Sequence, residues 1–526
     1  MLRENARRRE AGEFKVAQTR DEIAVDGETP TTCGVLDLLV VGAGPHALSL
    51  LTRLVDDEPD LLTELERSKL MHQARRARSR AVVREHLERR YDASKALPRT
   101  LVVDSHGQWM AQWKNNFEAL GIQYLRSHTH LHPCPFDYES MSLWVAMERR
   151  RAELKQMRHV DRKAWRSKGY NGPYHVPGTQ LFLDFCASLV DRYNLAPLVQ
   201  RGTVADVRIL DPSPTTGGAR TFEVRLDDGR RFVARHVVCS MGPGPAFQAM
   251  RATLPWWVDE LTASLSRVSG EDNGELIPKE KDVRARVQHS SALTAWLLDR
   301  DNDRLLSGHR VLVVGGGQTA AHLAHLAICR GASSVTLCAR RHIIRKPYDV
   351  DIEYMGARRP NVLKEFWRLK DPRKRMEFNA ALRGGGSISD DKYWELRECN
   401  ECSSRLVLAE DTTVVQGHWH STVGGDGEIH VRFDDGNISH FDFVWLATGG
   451  NLDLDLVPIF ASLQEQHPIA SVDGLPALRK DLSWAEGVPL YVMGAFAQLQ
   501  LGADALNLAG ARSGGVIVAR ALLASL

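Results

Sequence analysis

No stretch of this 526-residue chain approaches the roughly 18 consecutive apolar residues of a membrane-spanning helix, so no membrane partner is expected. Net charge is equally scarce. Lys and Arg number 68 against 66 Asp and Glu, leaving +2, which removes any global electrostatic argument for nucleic acid or an anionic surface. The eight cysteines are scattered, a pattern that does not suggest a disulfide framework. One close pair, Cys399-x-x-Cys402, has no second pair to complete a zinc site and does not open a helix off a strand, so it reads as two reduced thiols. Residues 1–34 lack an apolar core and carry Glu4, Glu10, Glu13, Asp21 and Glu22 among their arginines. That composition excludes a secretory signal and predicts a disordered tail on a cytoplasmic protein.

What remains is ordinary globular material, 43% hydrophobic and 25% charged, long enough for two or three domains. The organising stretch is Asp37-Leu-Leu-Val-Val-Gly-Ala-Gly-Pro-His-Ala47. Four apolar β-formers run into Gly42-x-Gly44-x-x-Ala47 and then into a helical pattern through Leu48, Leu51 and Leu54. In such a strand–turn–helix unit Gly42 permits the turn, Gly44 lets a pyrophosphate approach the backbone, and Ala47 lets helix pack on strand. Pro45 and His46 open the helix, whose free N–H groups and positive dipole end face the phosphates. A second copy, His309 to Ala321, repeats the pattern with Gly315, Gly317 and Ala320 in the same places. Its helix stops at Gly331, and the strand Ser334–Ala339 follows. Two such units some 270 residues apart predict an α/β protein with two Rossmann-like domains, each holding a dinucleotide.

Between the units the chain alternates structure with insertion. Residues 56–100 are charged and helical in pattern; their basic stretches, Arg75 to Arg80 and Arg89-Arg90, carry no interleaved aromatics, so a solvated helical insertion is expected and no nucleic acid. The strand Arg99–Asp104 then ends in a carboxylate, as the second strand of a dinucleotide fold should to bind ribose hydroxyls. The usual spacing is about 20 residues; the insertion accounts for the excess. Trp109 and Gln112 follow where an isoalloxazine edge could lie. His128, His130 and His132 alternate as if on one face of a strand, but no carboxylate or cysteine at ligand spacing completes a site, so no metal is expected. Three strands near 204–239 read as a meander appended to the sheet. In the second unit the strand ends in Arg340 and Arg341 where an acid would favour NAD; two guanidiniums suit a 2′-phosphate and predict NADPH. Gln318 and Thr319 begin the second helix beside the expected pyrophosphate, and residues 345–410 read as an insertion or lid. Ala447-Thr-Gly449 ends a buried strand, and Leu501-Gly502 leads towards a closing helix.

The N-terminal Gly-x-Gly-x-x-Ala, the central Gly-Gly-Gly-Gln-Thr-Ala and the late Asp442-x-x-x-Leu-Ala-Thr-Gly together resemble the class B flavin-dependent monooxygenases, most closely the lysine/ornithine N-hydroxylase branch. The resemblance covers roughly residues 35–55, 100–125 and 309–526. It implies FAD at the first turn, with Thr448, Gly449, Leu501 and Gly502 completing its contacts, NADPH at the second, and O₂ used to hydroxylate a nitrogen or other soft nucleophile of a small molecule. Gln112 is the candidate flavin-edge contact. The implied division is a tail to 34, FAD domain 35–308 with the insertion 56–100, NADPH domain 309–440 and FAD return 441–526. The chain departs from the branch where Gly450 and Asp455-Leu456 replace its Tyr and His-Pro, which leaves the substrate open. The chain is also similar to flavoprotein oxidoreductases of the oxidative-stress-induced growth inhibitor group. A flavin reductase or oxidase, a redox-sensing FAD/NADPH-binding regulator, and a homo-oligomeric state all stay open.

Overall fold

The computed structural model describes residues 34–71, 78–157, 174–211, 220–242, 254–266, 286–299, 302, 305–351, 354–355, 358–421, 427–450 and 452–525. The predicted disordered tail, except for Gly34, and Arg75 to Ala77 of the basic stretch therefore lie outside it.

The first strand, β1 (Leu36–Val41), is apolar at five of its six positions because both its faces are covered. It feeds α1 (Pro45–Val55), which carries Pro in its first turn, where the missing N–H has no helical partner to lose. Parallel neighbours flank β1. On one side lies β2 (Thr100–Asp104), in register Val41↔Val103, and beyond it β3 (Val199–Arg201). The helices α2 (Ala111–Ala119) and α3 (Thr179–Arg192) lie between β2 and β3 in the chain. The expected meander forms from β4 (Val204–Leu210), β5 (Thr221–Leu226) and β6 (Arg231–Cys239), antiparallel to one another, and β6 then runs parallel to β1 on its other side.

The second sheet is parallel throughout. It holds β7 (Val287–His289), β8 (Arg310–Val314), β9 (Ser334–Ala339), β10 (Leu406–Glu410) and, from further along, the strand Phe443–Leu446, in the order β10-β9-β8-(443–446)-β7. Helix α4 (Gln318–Cys329) and helix α5 (Asp390–Ser403) belong to this half. A three-stranded antiparallel sheet, β11 (Val414–Ser421), β12 (Gly427–Phe433) and β13 (Ile438–Phe441), precedes Phe443–Leu446, now β14. The chain returns to the first sheet through β15 (Ser483–Ala485) and β16 (Val488–Val492), the latter parallel to β6. It closes in α6 (Leu508–Leu523), capped by Asn507. There Gly515 meets α1 so closely that a Cβ on it would lie 2.8 Å from Ser49 Oγ and 3.0 Å from Ser49 O.

Two parts of the expected division shift. A boundary at 440 would separate β14 from the sheet it belongs to, since β14 pairs with β8. Residues of the 345–410 insertion split between the cores: Tyr348, Tyr354 and Leu363 pack into the first, Ile388 and Leu396 into the second. Arg126 ties the two, donating to the carbonyls of Lys346 (2.7 Å), Tyr348 (2.9 Å) and Ser387 (3.2 Å). A buried pairing of Arg359 with Asp504 and Glu64 joins both insertions to the return segment. Among the described residues no helix is long and apolar enough to cross a membrane.

Candidate functional site: two glycine turns of one construction

Both predicted turns form at the carboxyl ends of parallel strands, where open α/β sheets bind ligands. Their hydrogen bonds correspond one for one. Gly42 donates to Val103 O on one flanking strand (2.8 Å), and Ser240, just past the other, donates to Val41 O (2.9 Å). Gly315 likewise donates to Cys338 O (2.9 Å), and Ala447 donates to Val314 O (2.8 Å). Each leading glycine has positive φ, +94° at Gly42 and +147° at Gly315. A Cβ at Gly42 would stand 3.0 Å from Met241 Cα and Ser240 O, and one at Gly315 would overlap Ala447 O. Glycine is required at both by conformation and by space.

At the first turn, Gly44 is extended (φ −90°) and a Cβ there would meet nothing within 4 Å, so open space lies over the backbone at the start of α1. No side chain caps that helix and no acid occupies its first turn, which leaves its leading N–H groups and positive end for an anion. Asp104 stands beside them. Its Oδ2 accepts the Ala43 N–H (3.0 Å) and its Oδ1 the His106 N–H (2.9 Å), which locks the carboxylate at the turn with lone pairs to spare. His46 is buried with Nδ1 unpartnered, against Gly494. Burial pushes its imidazole down to about 4, opposed by a hydrogen bond to the Leu506 backbone. Pro45 and Ala47 occupy the first turn of α1 as expected. Open space above a glycine, an uncapped helix start, an adjacent carboxylate and an orphaned imidazole nitrogen form a donor set that fits FAD.

The second turn also fits a dinucleotide, with one feature the sequence reading did not anticipate. Gly386, the last of the run Gly384-Gly385-Gly386, comes against it, so that a Cβ on Gly386 would lie 3.1 Å from Gly317 Cα. Gln318, expected near the pyrophosphate, is the first residue of α4; its Oε1 accepts the Ser389 N–H (2.8 Å) and its Nε2 contacts His322 (3.0 Å), tying α4 to the start of α5. Thr319 sits in the first turn of α4, and Arg340 and Arg341 are exposed just past the end of β9.

Thr448 and Gly449, grouped with the first turn, follow β14 and stand at the second. Met110 N donates to Ala43 O (2.8 Å), which holds this segment beside the first turn; Gln112 is exposed on α2 with its Nε2 donating to Asn116 (2.8 Å), and Trp109 Nε1 donates to Leu195 O (3.2 Å). Leu501 is buried, and Gly502 (φ +96°) lies under Tyr354 Oη, where a Cβ would come within 2.9 Å. His128, His130 and His132 lie in turns rather than on a strand: His128 stacks on Tyr174, His130 pairs with Glu139, and His132 contacts Tyr138 O. Proline at 133 and 135 prevents the extended ladder that alternation suggested. Cys399 and Cys402 are free, and burial pushes the Cys399 thiol up, opposite to the shift that makes a reactive thiolate.

No protein-family model matches the chain, and no curated protein matches it in sequence. Solved structures do match its fold. Over 93% of its length the chain is similar to ornithine hydroxylase from Pseudomonas aeruginosa (16% identity, 98% of that chain, TM-score 0.57). The same share matches the ornithine N-hydroxylase of Kutzneria, in a structure with reduced FAD, NADP⁺ and L-ornithine (15%, 99%, 0.58). L-lysine 6-monooxygenase from Pseudomonas syringae matches likewise (17%, 100%, 0.54). The fold is that of the two-dinucleotide flavoproteins of the class B monooxygenase type.

Proposed function

We propose that the chain is an FAD- and NADPH-dependent monooxygenase that hydroxylates a nitrogen, or another soft nucleophile, of a small molecule. The observation that carries this reading is the pair of glycine turns built by the same hydrogen bonds on two parallel sheets of one chain. The fold of ornithine and lysine hydroxylases supports it.

Bound FAD supplies the redox chemistry, taking hydride from NADPH and activating O₂. The chain's own part is position and electrostatics. The start of α1 and the bare backbone at Gly44 take the FAD pyrophosphate, and Asp104 accepts from its ribose hydroxyls. The start of α4 takes the second pyrophosphate, with Arg340 and Arg341 for the 2′-phosphate of NADPH. His46, neutral at physiological pH because it is buried, offers Nδ1 to a bound group without adding charge beside the flavin. Gly386, against the backbone of Gly317, helps exclude water from the second turn.

The test is to supply NADPH and air to FAD-loaded protein with a panel of primary amines and amino acids, counting oxygenated product against hydrogen peroxide. Product coupled to NADPH consumption supports the proposal. Peroxide alone across the panel, at a rate no amine alters, overturns it in favour of an oxidase.

A further inference from the structure

The outer face of the β11–β13 sheet carries an unusual concentration of imidazole. Register places His418 opposite His430 and His430 opposite His440, with His420 opposite Glu428. Because side chains alternate along a strand, all five project from one face. The other face, with Ile429, Val431 and Phe441, is buried against Trp257 and Leu261. A solvated outer face needs only generic polar residues, and four histidines around one carboxylate are more than that role demands.

The geometry is convergent as well as crowded. His430 Nε2 lies 2.9 Å and His440 Nδ1 3.2 Å from the same oxygen, Glu428 Oε1. One ligand atom from each of the three lies within 4.8 Å of the others. The imidazoles of His430 and His440 are parallel, with centroids 4.0 Å apart, and His420 stacks on the far side of His430 at 4.8 Å. The remaining carboxylate oxygen, Oε2, accepts from Arg310 Nη2 at 2.7 Å, and Arg310 is itself held by Asp442. Metal-ligating carboxylates are oriented by such outer hydrogen bonds.

We propose that Glu428, His430 and His440 form a binding site for a divalent transition cation of the zinc class, unrelated to the dinucleotide turns. Two imidazoles and one carboxylate, completed by water, make the four-coordinate set that zinc accepts. Nitrogen donors select zinc, copper or nickel over magnesium and calcium, which prefer oxygen. On binding, His430 presents the Nε2 lone pair and keeps its proton on Nδ1, while His440 presents Nδ1 and keeps its proton on Nε2. Because an imidazole lone pair lies in its ring plane and the planes of the stacked His430 and His440 share no point, one ring turns out of the stack on binding, and the cation replaces the two N–H···O bonds to Oε1. It thereby joins β12 and β13 through side chains and, through Arg310, links both to the first residue of β8. That residue is at the end of β8 opposite the Gly315 turn, so the site acts on stability rather than on hydride transfer.

The experiment uses full-length, FAD-loaded protein treated with a chelator and titrated calorimetrically with zinc chloride. The His430→Ala/His440→Ala double variant and a His418→Ala/His420→Ala control are titrated in parallel. Wild type and the control should bind one zinc at micromolar concentration and melt at higher temperature with it. The double variant should lose at least about tenfold in affinity and show no such rise. Cobalt in place of zinc should give weak visible bands without the intense thiolate absorption that ligation by Cys399 or Cys402 would produce. Magnesium should have no effect. Equal zinc binding by the double variant, a thiolate band with cobalt, or no binding by wild type would each overturn the proposal.

Discussion

Gly42 and Gly44 stand two residues apart, and the structure assigns them opposite sensitivities. Alanine at Gly42 must hold φ near +94° and press its Cβ to 3.0 Å from Met241 Cα and Ser240 O, both backbone atoms. Holding a non-glycine residue there costs about 1–3 kcal/mol. Shifting Ser240 away weakens its bond to Val41 O, worth about 0.5–1.5 kcal/mol. Gly42→Ala should therefore destabilise the fold by about 1.5–4.5 kcal/mol and lower the melting temperature by several degrees. Alanine at Gly44 meets nothing within 4 Å at a φ any residue adopts. The entropy gained from the unfolded chain, about 0.4–1 kcal/mol, roughly offsets the poorer helix cap, so stability should change by less than about 1 kcal/mol. Its methyl group nevertheless occupies the open space where the pyrophosphate approaches, and FAD affinity should fall at least tenfold, or about 1.4 kcal/mol. The assay pairs thermal melting by circular dichroism with FAD titration of the apoprotein by flavin fluorescence. A stable Gly44→Ala protein that binds FAD as tightly as wild type would refute the placement of the cofactor.

Replacing Arg340 and Arg341 together by Ser should raise KM for NADPH roughly tenfold or more while leaving NADH nearly unchanged; equal loss with both nicotinamides would show that the guanidiniums do not read the 2′-phosphate. Arg359→Met strands Asp504, which is fully buried, and should cost about 3–5 kcal/mol, seen as a lower urea midpoint. Arg359→Met/Asp504→Leu together should recover most of that loss, and failure to recover would mean that the pair is not the source. Burial holds His46 down to about 4, His128 and His322 to about 3, and His132 well below its ordinary value. The folded state resists protonation at these sites and the unfolded state does not, so below about pH 6.5 unfolding takes up protons and stability falls as pH falls. Urea midpoints should drop between pH 7.5 and 5.5, and a flat profile would contradict the buried neutral imidazoles.

Local signals carried most of what positions the site. Both strand–turn–helix units, the strand ending at Asp104, the meander and the closing helix are legible because each is a short run whose periodicity and glycines express its own backbone needs. What was not legible depends on partners far along the chain. Arg359 meets Asp504 across 145 residues and Glu64 across 295. The one available hint was Asp504 itself, an acid within Leu501 to Ala509 whose burial demands a cation. That Thr448 follows a strand of the second sheet was not legible, because a small-residue turn looks alike after either sheet and only the pairing of β14 with β8 distinguishes them. The bond from Gln112 to Asn116 was not anticipated, although i, i+4 spacing on an exposed helix face favours it. Gly386 was a missed signal, the last of three consecutive glycines and the one at which backbone approaches the backbone of Gly317.

The most direct test of two dinucleotide sites in one chain is anaerobic mixing of the FAD-loaded protein with NADPH while following flavin absorbance. The account predicts stoichiometric bleaching of the bound flavin, fast with NADPH and slower with NADH. A protein that retains no flavin, or whose flavin neither nicotinamide reduces, would contradict it.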